Sequence, residues 1–169
     1  YLSSGTWSLL GVETSAPIVN EASQGANLTN EGGVAGTTRL LKNVMGLWLE
    51  QECARVWDTD FPALQRAARE ATTFVEFDVD DERFLRGGDM PALIQDVTGP
   101  LSQGELVRSI YVSLARRYGV VLERLEAASG RENHCVVAEE TGMDASASHD
   151  RFTSRAATAR DRDELASFA

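Results

Sequence analysis

The chain has 169 residues, of which 43% are hydrophobic and 25% charged, and this length suits one domain that buries roughly two-thirds of its unfolded surface. Its 26 acidic and 16 basic residues give a formal net charge of −10. Lys42 is the only lysine, and no basic stripe is present that could neutralise phosphates, so we expect no nucleic-acid partner. No window approaches 18 consecutive apolar residues, so no membrane-spanning helix is predicted.

The two cysteines, Cys53 and Cys135, are isolated and form no CxxC pair, which indicates packing roles in a reducing compartment. No basic segment followed by an apolar one marks a secretory signal, and we therefore predict a cytoplasmic location. The chain begins without Met, on an apolar and hydroxyl-rich run starting at Tyr1, and is interpreted as a fragment of a longer protein.

The first 57 residues predict two strands, a loop and a helix. Short apolar runs around Gly5 and Gly11 predict a strand, a turn and a strand over residues 1–12, and residues 13–36 predict a loop or hairpin. Residues 38–57 predict one amphipathic helix, because six apolar side chains share an arc at 100° per residue: Leu41, Val44, Met45, Trp48, Leu49 and Val56. Glu52 falls within this arc, either as a paired buried carboxylate or as a limit to the depth of that face.

The next segment alternates predicted helices with a strand. Asp60 and Pro62 indicate the start of a short helix through residue 71, residues 73–79 predict an imperfect strand, and residues 80–90 an acidic turn. Residues 91–97 predict a further helical piece. A capping box at Ser102 and Glu105 opens a long amphipathic helix that Gly130 closes.

Residues 138–169 differ in character from the rest, because they carry neither a helical stripe nor an apolar run. We expect this tail to be disordered. Codons for residues 138–144, shifted by two bases, allow Gly-Gly-Asn-Arg-Asn-Gly. The tail is therefore also a candidate product of a frame change, a hypothesis that the gene sequence tests.

Three stretches of the chain carry a family resemblance: the Ser4-Gly5-Thr6 run within residues 1–11, residues 27–52 with Asn-Glu-Gly-Gly and Leu-Trp-Leu, and residues 84–91 with Gly-Asp-Met-Pro. Together they resemble the FGGY family of carbohydrate kinases, specifically its members that act on L-rhamnulose. The resemblance implies an α/β fold over residues 1–137, an incomplete ribonuclease-H-like (actin-like ATPase) domain that forms the C-terminal FGGY kinase domain. It further implies transfer of the γ-phosphoryl group of ATP, with Mg²⁺, to the 1-hydroxyl of L-rhamnulose.

The resemblance also implies roles for four residues. Thr6 and Gly5 match the ATP-contacting turn of the family, in which a glycine lets backbone N–H groups approach phosphate oxygens. Asn43 matches the family's sugar-contacting asparagine, and Gln51 matches its nucleotide-contacting glutamine. On one helix these two amides would lie two turns and about 80° apart, facing one cleft at different depths.

The family's general base is an aspartate that would precede Tyr1, so no catalytic residue is assigned, and the chain is expected to be inactive without the N-terminal kinase domain. The alternatives are a non-enzymatic remnant of such a domain, or a helical module whose Trp48 and Trp57 face binds a partner. Asn30 and Glu31 either shape the cleft wall near the sugar or form a tight turn with a capping carboxylate, and we favour the structural role.

Overall fold

The computed structural model describes residues 1–132 and the strand Ala138–Glu140. Five strands form one mixed sheet in the order β3-β4-β2-β1-β5. The strands are β1 (Leu2–Ser4), β2 (Trp7–Thr14), β3 (Thr29–Gly32), β4 (Thr38–Met45) and β5 (Ala138–Glu140). All neighbouring pairs are antiparallel except β1 and β5, which run parallel. The mixed α/β class predicted from the sequence is confirmed.

Five helices accompany the sheet: α1 (Glu21–Gly25), α2 (Trp48–Trp57), α3 (Phe61–Glu70), α4 (Met90–Thr98) and α5 (Gln103–Ser129). Helix α5 crosses one face of β2 and β4, where the hydroxyl groups of Ser8 and Tyr118 lie 2.6 Å apart. Every member of the predicted apolar stripe of α5 is buried: Leu106, Ile110, Leu114, Tyr118, Val121, Leu122 and Leu125. The main core therefore lies between the sheet and α5, with α2, α3 and α4 packed around it.

The predicted strand-turn-strand over residues 1–12 is confirmed by β1 and β2, although Gly11 lies inside β2 rather than in a turn. The prediction of a loop or hairpin over residues 13–36 is only partly right, because this segment also forms α1, β3 and a 3₁₀ turn at Val34–Gly36. Helix α1 is short, and its capping box uses Asn20 and Ser23, which a search for the Ser/Thr-x-x-Glu/Gln pattern does not find.

The prediction of one helix over residues 38–57 is wrong: the first half is strand β4 and only the second half is helix α2. Two adjacent apolar pairs in β4, Leu40–Leu41 and Val44–Met45, are buried on opposite faces of the sheet. The pairs are four residues apart, so they reproduce the spacing of a helical stripe. The sequence of a strand that is buried on both faces therefore has the same apolar spacing as an amphipathic helix.

The remaining predicted helices are confirmed. Asp60 caps α3, its carboxylate accepting a hydrogen bond from the N–H of Ala63 at 2.7 Å. The capping box of α5 is formed by Ser102 and Glu105, and Gly130 adopts the left-handed conformation that ends this helix. Helix α4 covers the predicted helical piece at residues 91–97, and the turn before it contains a 3₁₀ turn at Glu82–Phe84.

The predicted strand at residues 73–79 is wrong, since this segment joins no sheet. It runs alongside α5, where the N–H groups of Val75 and Phe77 donate to the hydroxyl groups of Ser109 and Ser113 at 3.0 and 3.1 Å. Alternate backbone N–H groups of the segment are therefore hydrogen-bonded, as in an edge strand, but their acceptors are two buried serine hydroxyl groups of a helix and not the carbonyl groups of a neighbouring strand.

Part of the predicted tail lies within the described residues. Strand β5 pairs in parallel with β1, with Leu2 opposite Ala138 and Ser4 opposite Glu140. The rest of the predicted tail, from residue 141 onward, lies outside the described residues. Among the helices of the described part, none has both the length and the apolar character of a membrane span.

Candidate functional site

The turn between β1 and β2, formed by Gly5 and Thr6, lies against the beginning of helix α2. The carbonyl oxygen of Gly5 accepts a hydrogen bond from the N–H of Leu47 at 2.8 Å, and that of Thr6 accepts one from Trp48 at 3.1 Å. No side chain caps α2. The turn therefore supplies the acceptors that a capping residue usually provides, and it ties the start of α2 to the sheet.

Gly46 makes this contact possible because it leaves room for the turn. A Cβ atom at Gly46 would lie 2.4 Å from the carbonyl oxygen of Gly5 and 2.8 Å from the hydroxyl oxygen of Ser8. Both distances are well below ordinary van der Waals contact. The residue joining β4 to α2 must therefore lack a side chain for the turn to reach the helix.

Two of the predicted ATP-binding residues meet at this point. The hydroxyl group of Thr6 donates a hydrogen bond to the side-chain oxygen of Gln51 at 3.1 Å, although the residues are 45 positions apart in the chain. The contact is exposed to solvent. Because the bond uses only the oxygen of the amide, the NH₂ group of Gln51 can still donate to a phosphate oxygen of a ligand, and the lone pairs of Thr6 can accept from a ligand hydroxyl group.

Asn43, the predicted sugar contact, is placed differently from its prediction. It lies in β4 opposite Leu9 of β2, so the prediction that it shares one helix with Gln51 is wrong. Its side chain is exposed on the sheet face that also carries Trp7 and Leu9, the face opposite Ser8 and α5. Asn43 and Gln51 thus flank the β4–α2 connection, one on the strand and one on the helix.

Glu52, whose role the sequence left open, is a paired buried carboxylate. Its residue is 8% exposed, and Arg55 donates to both carboxylate oxygens at 3.0 and 2.8 Å. The hydrogen bond from Arg55 holds the pKa of Glu52 below its ordinary value, while burial opposes this change. A third hydrogen bond joins the Arg55 guanidinium to the carbonyl oxygen of Gly88 at 2.7 Å.

A second buried carboxylate, Glu50, lies next to Gln51 in α2. Glu50 is 2% exposed and accepts a hydrogen bond from the hydroxyl group of Tyr111 at 2.7 Å. Burial raises the pKa of Glu50, and the hydrogen bond from Tyr111 partly offsets that effect. Burial also raises the pKa of the neighbouring Cys53 thiol to about 12, in keeping with the packing role predicted for this cysteine. A single helix over residues 38–57 places Glu50 on its polar side, so the sequence does not mark this residue as buried.

Asn30 and Glu31 lie in strand β3 and not in the predicted tight turn, and both side chains make contacts within the domain. The Asn30 side chain accepts from the N–H of Ile18 and donates to its carbonyl oxygen, both at 2.9 Å. Glu31 forms an ion pair with Arg39 at 3.1 Å. Both side chains thus hold neighbouring segments together around β3.

A metal site is not evident in the part of the chain that the structure describes. Within residues 1–132 and Ala138–Glu140, no group of three or more His, Cys, Asp or Glu side chains could hold a metal ion. The Thr6 hydroxyl instead donates to the side-chain amide oxygen of Gln51.

Comparisons with known proteins show which family the chain belongs to. A model of the C-terminal domain of the FGGY family of carbohydrate kinases matches residues 1–139. A protein of Bacteroides thetaiotaomicron named rhamnulokinase is 47% identical over 139 residues, covering 78% of this chain and 29% of the relative. Another of that name, from Enterococcus faecalis, is 43% identical over 141 residues, covering 78% of this chain and 28% of the relative. The chain thus spans less than a third of the length of these relatives. The chain belongs to the FGGY family of carbohydrate kinases, and its residues 1–139 match the C-terminal domain of that family.

Proposed function

We propose that this chain supplies the nucleotide-binding part of an ATP-dependent sugar kinase. The observation that carries the proposal is the exposed hydrogen bond between Thr6 and Gln51, which joins the β1–β2 turn to helix α2. The proposed domain is of the ribonuclease-H-like (actin-like ATPase) type, and the mixed sheet with its parallel β1–β5 pair is compatible with that type.

The proposed nucleotide contacts follow from the groups at the turn. Gly5 lets a phosphate approach the backbone closely, and the Thr6 hydroxyl donates to a phosphate oxygen once its bond to Gln51 is exchanged. Gln51 then offers its amide to the nucleotide. A hydrogen bond to a charged phosphate contributes about 1.5–3 kcal/mol, more than the neutral contact that it replaces.

The proposed substrate is L-rhamnulose, phosphorylated at its 1-hydroxyl group. Support comes from the name rhamnulokinase, which both relatives carry, and from Asn43, whose exposed amide can donate to and accept from sugar hydroxyl groups. The γ-phosphoryl group of ATP passes to the 1-hydroxyl oxygen as its bond to the β–γ bridging oxygen breaks and ADP leaves, and the hydroxyl proton passes to a carboxylate of the preceding domain. We therefore propose that the chain requires the N-terminal kinase domain, is inactive alone, and works in the cytoplasm.

Magnesium enters the proposal as the ion that accompanies ATP and neutralises charge on its phosphates. Since the described residues contain no carboxylate cluster able to hold a metal, none of them is assigned to the ion.

The alternative of a helical module that binds a partner through Trp48 and Trp57 is less well supported. The indole N–H of Trp48 donates to the carbonyl oxygen of Phe84 at 3.0 Å, and both tryptophans pack against the core. These side chains are therefore already engaged within the domain. A non-enzymatic remnant remains the alternative that experiment has to distinguish.

The test is a chimeric kinase in which residues 1–139 of this chain replace the matching segment of the Bacteroides relative. We expect ATP-dependent phosphorylation of L-rhamnulose. Thr6→Val and Gln51→Ala should raise the KM for ATP by about 10-fold or more, the effect of losing one hydrogen bond to a charged group. Asn43→Ala should raise the KM for the sugar instead. Gln95→Ala, on the surface of α4, is the matched control and should change neither constant.

Two results would contradict the proposal. A chimera with a normal circular dichroism spectrum and melting transition but no turnover would favour the non-enzymatic remnant. An active chimera whose KM for ATP is unchanged by both Thr6→Val and Gln51→Ala would show that the nucleotide binds elsewhere.

A further inference from the structure

The Gly-Asp-Met-Pro stretch and the residues before it have no part in the proposed ATP or sugar contacts. In the structure, Phe84–Asp89 forms a loop along α2, which we call the 84–89 loop. Phe84 is fully buried and meets the ring of Phe77 edge-on at 5.6 Å, so one end of the loop is fixed in the core. Asp89 caps α4 by accepting a hydrogen bond from Ala92 at 3.2 Å, so the other end is fixed as well.

Between these ends, two side chains of α2 hold the backbone of the loop. The indole N–H of Trp48 donates to the carbonyl oxygen of Phe84 at 3.0 Å, and the guanidinium of Arg55 donates to that of Gly88 at 2.7 Å. Arg55 is oriented by its two hydrogen bonds to the buried carboxylate of Glu52. Two side chains of one helix thus hold the loop, and a third side chain of the same helix orients one of them.

The loop is shaped to approach α2 closely. Gly87 and Gly88 have φ values of +65° and +109°, which residues with a side chain rarely adopt. A Cβ atom at Gly87 would lie 2.9 Å from a carboxylate oxygen of Glu52 and 3.3 Å from the Trp48 ring. Both the conformation and the space at this position therefore require glycine.

The two side chains that hold the loop lie beside the nucleotide contact on α2. Gln51 is three residues after Trp48 and four before Arg55, so all three lie on adjoining rows of the helix surface. Trp48 also donates its backbone N–H to the carbonyl oxygen of Thr6. The same residue therefore connects the 84–89 loop on one side with the β1–β2 turn on the other.

We propose that the 84–89 loop acts as a positioning clamp for the nucleotide site, with Trp48 and Arg55 as its positioning residues. The clamp holds the side of α2 that carries Trp48 and Arg55, and it so keeps Gln51 at hydrogen-bond distance from Thr6. This inference rests on the proposed function for the role of that pair in binding ATP. The clamp residues themselves do not touch the nucleotide.

The experiment uses the ¹⁵N-labelled 169-residue chain with Arg55→Met, which keeps the aliphatic stem and removes all three hydrogen bonds. Arg55 is exposed, with 57% of its side chain accessible, so we expect this variant to fold. Arg55→Lys retains the charge without the planar fork and should restore part of the effect. Arg116→Met is the matched control, because it breaks a similarly exposed ion pair, with Glu76, away from α2.

We expect Arg55→Met to move the indole resonance of Trp48 together with the side-chain amide of Gln51 and the amide of Thr6. The Kd for ATP should rise by about 2- to 30-fold, the usual range for residues that act through others. Arg55→Lys should give resonance positions and a Kd for ATP between those of the wild type and those of Arg55→Met. Arg116→Met should change neither the resonances nor the Kd. Urea midpoints of all four proteins separate a loss of stability from a displaced site.

Unchanged Thr6 and Gln51 resonances in Arg55→Met, with an unchanged Kd for ATP, would overturn the inference and leave the loop as core packing. A wild-type chain that binds no ATP would count against the proposed function instead. In that case the positioning role is decided by the resonances alone: it stands if those of Thr6 and Gln51 move in Arg55→Met, and it falls if they do not.

Discussion

Replacing Gly46 with alanine tests how the site is assembled, because the substitution should lower the free energy of unfolding if a strand meets a helix at this residue, and raise it if residues 38–57 form one helix. In the structure, Gly46 joins β4 to α2, and its backbone needs no positive φ. The added Cβ atom would meet the carbonyl oxygen of Gly5 at 2.4 Å, whereas ordinary contact begins at 3.4 Å. The connection must therefore retreat by about 1 Å.

The energetic cost follows from this movement. A retreat of that size also lengthens the 2.8 Å hydrogen bond from Leu47 to Gly5 beyond bonding distance. Overpacking costs about 1–3 kcal/mol and a lost hydrogen bond about 0.5–1.5 kcal/mol, so we expect Gly46→Ala to lower the free energy of unfolding by about 2–4 kcal/mol. In the interior of a continuous helix the same substitution would instead stabilise by about 1 kcal/mol.

Urea unfolding of the 169-residue chain, followed by circular dichroism, measures the difference. With a denaturant slope of about 2 kcal/mol per molar, the midpoint should fall by about 1–2 M in Gly46→Ala. Gly119→Ala is the matched control, because Gly119 lies inside α5 with no atom within 4 Å of an added Cβ, and it should raise the midpoint by up to about 0.5 M. A rise in both variants would refute the turn-to-helix contact and favour the single helix.

Three further predictions concern the buried and capping polar groups. Burial raises the pKa of Glu50, so its ionised form destabilises the folded state increasingly as the pH rises above the ordinary value of 4.5. Glu50→Gln keeps an acceptor for Tyr111 and cannot ionise. This variant should therefore unfold at a higher urea concentration than the wild type at pH 8, and at nearly the same concentration at pH 4. Ser113→Ala should cost about 1–3 kcal/mol in the same assay, because the N–H of Phe77 loses its acceptor; an unchanged midpoint would argue against that contact. Hydrogen bonding lowers the pKa of Glu105 to about 2, so the ionised carboxylate stabilises the folded state fully above pH 4.5 and progressively less as the pH falls towards 2. Glu105→Gln should lack this pH-dependent loss of stability in acid unfolding, and identical acid profiles of the variant and the wild type would contradict it.

Helix α5 could be predicted from the sequence because everything that defines it is local. Its capping box at Ser102 and Glu105, its apolar stripe and its terminal Gly130 lie within one continuous segment. Helix α3 was predicted for the same reason, from Asp60 at its cap. In both helices the boundary signals belong to the helix itself.

The start of α2 could not be predicted, because its cap comes from a distant part of the chain. The acceptors for Leu47 and Trp48 are carbonyl oxygens of Gly5 and Thr6, about 40 residues earlier, and no side chain marks the position. The extended segment beside α5 was similarly misassigned, since Ser113 and its neighbour Ser109 act as partners that only the tertiary structure reveals.

The candidate site was predicted in its members but not in its geometry. Family resemblance singled out Thr6, Asn43 and Gln51 from the sequence. Their relative positions depend on the change from strand to helix at Gly46, which turns Gln51 towards Thr6 and leaves Asn43 on the sheet. A single continuous helix would have placed both amides on one element, so the arrangement required the structure.

The most direct test of the account is a titration of the ¹⁵N-labelled chain with ATP, observed by nuclear magnetic resonance. We predict that the side-chain amide of Gln51 and the backbone amides of Gly5 and Thr6 shift together and saturate with one shared Kd. Saturable shifts confined to other residues, with these three unmoved, would contradict the claim that the β1–β2 turn and α2 form one nucleotide site.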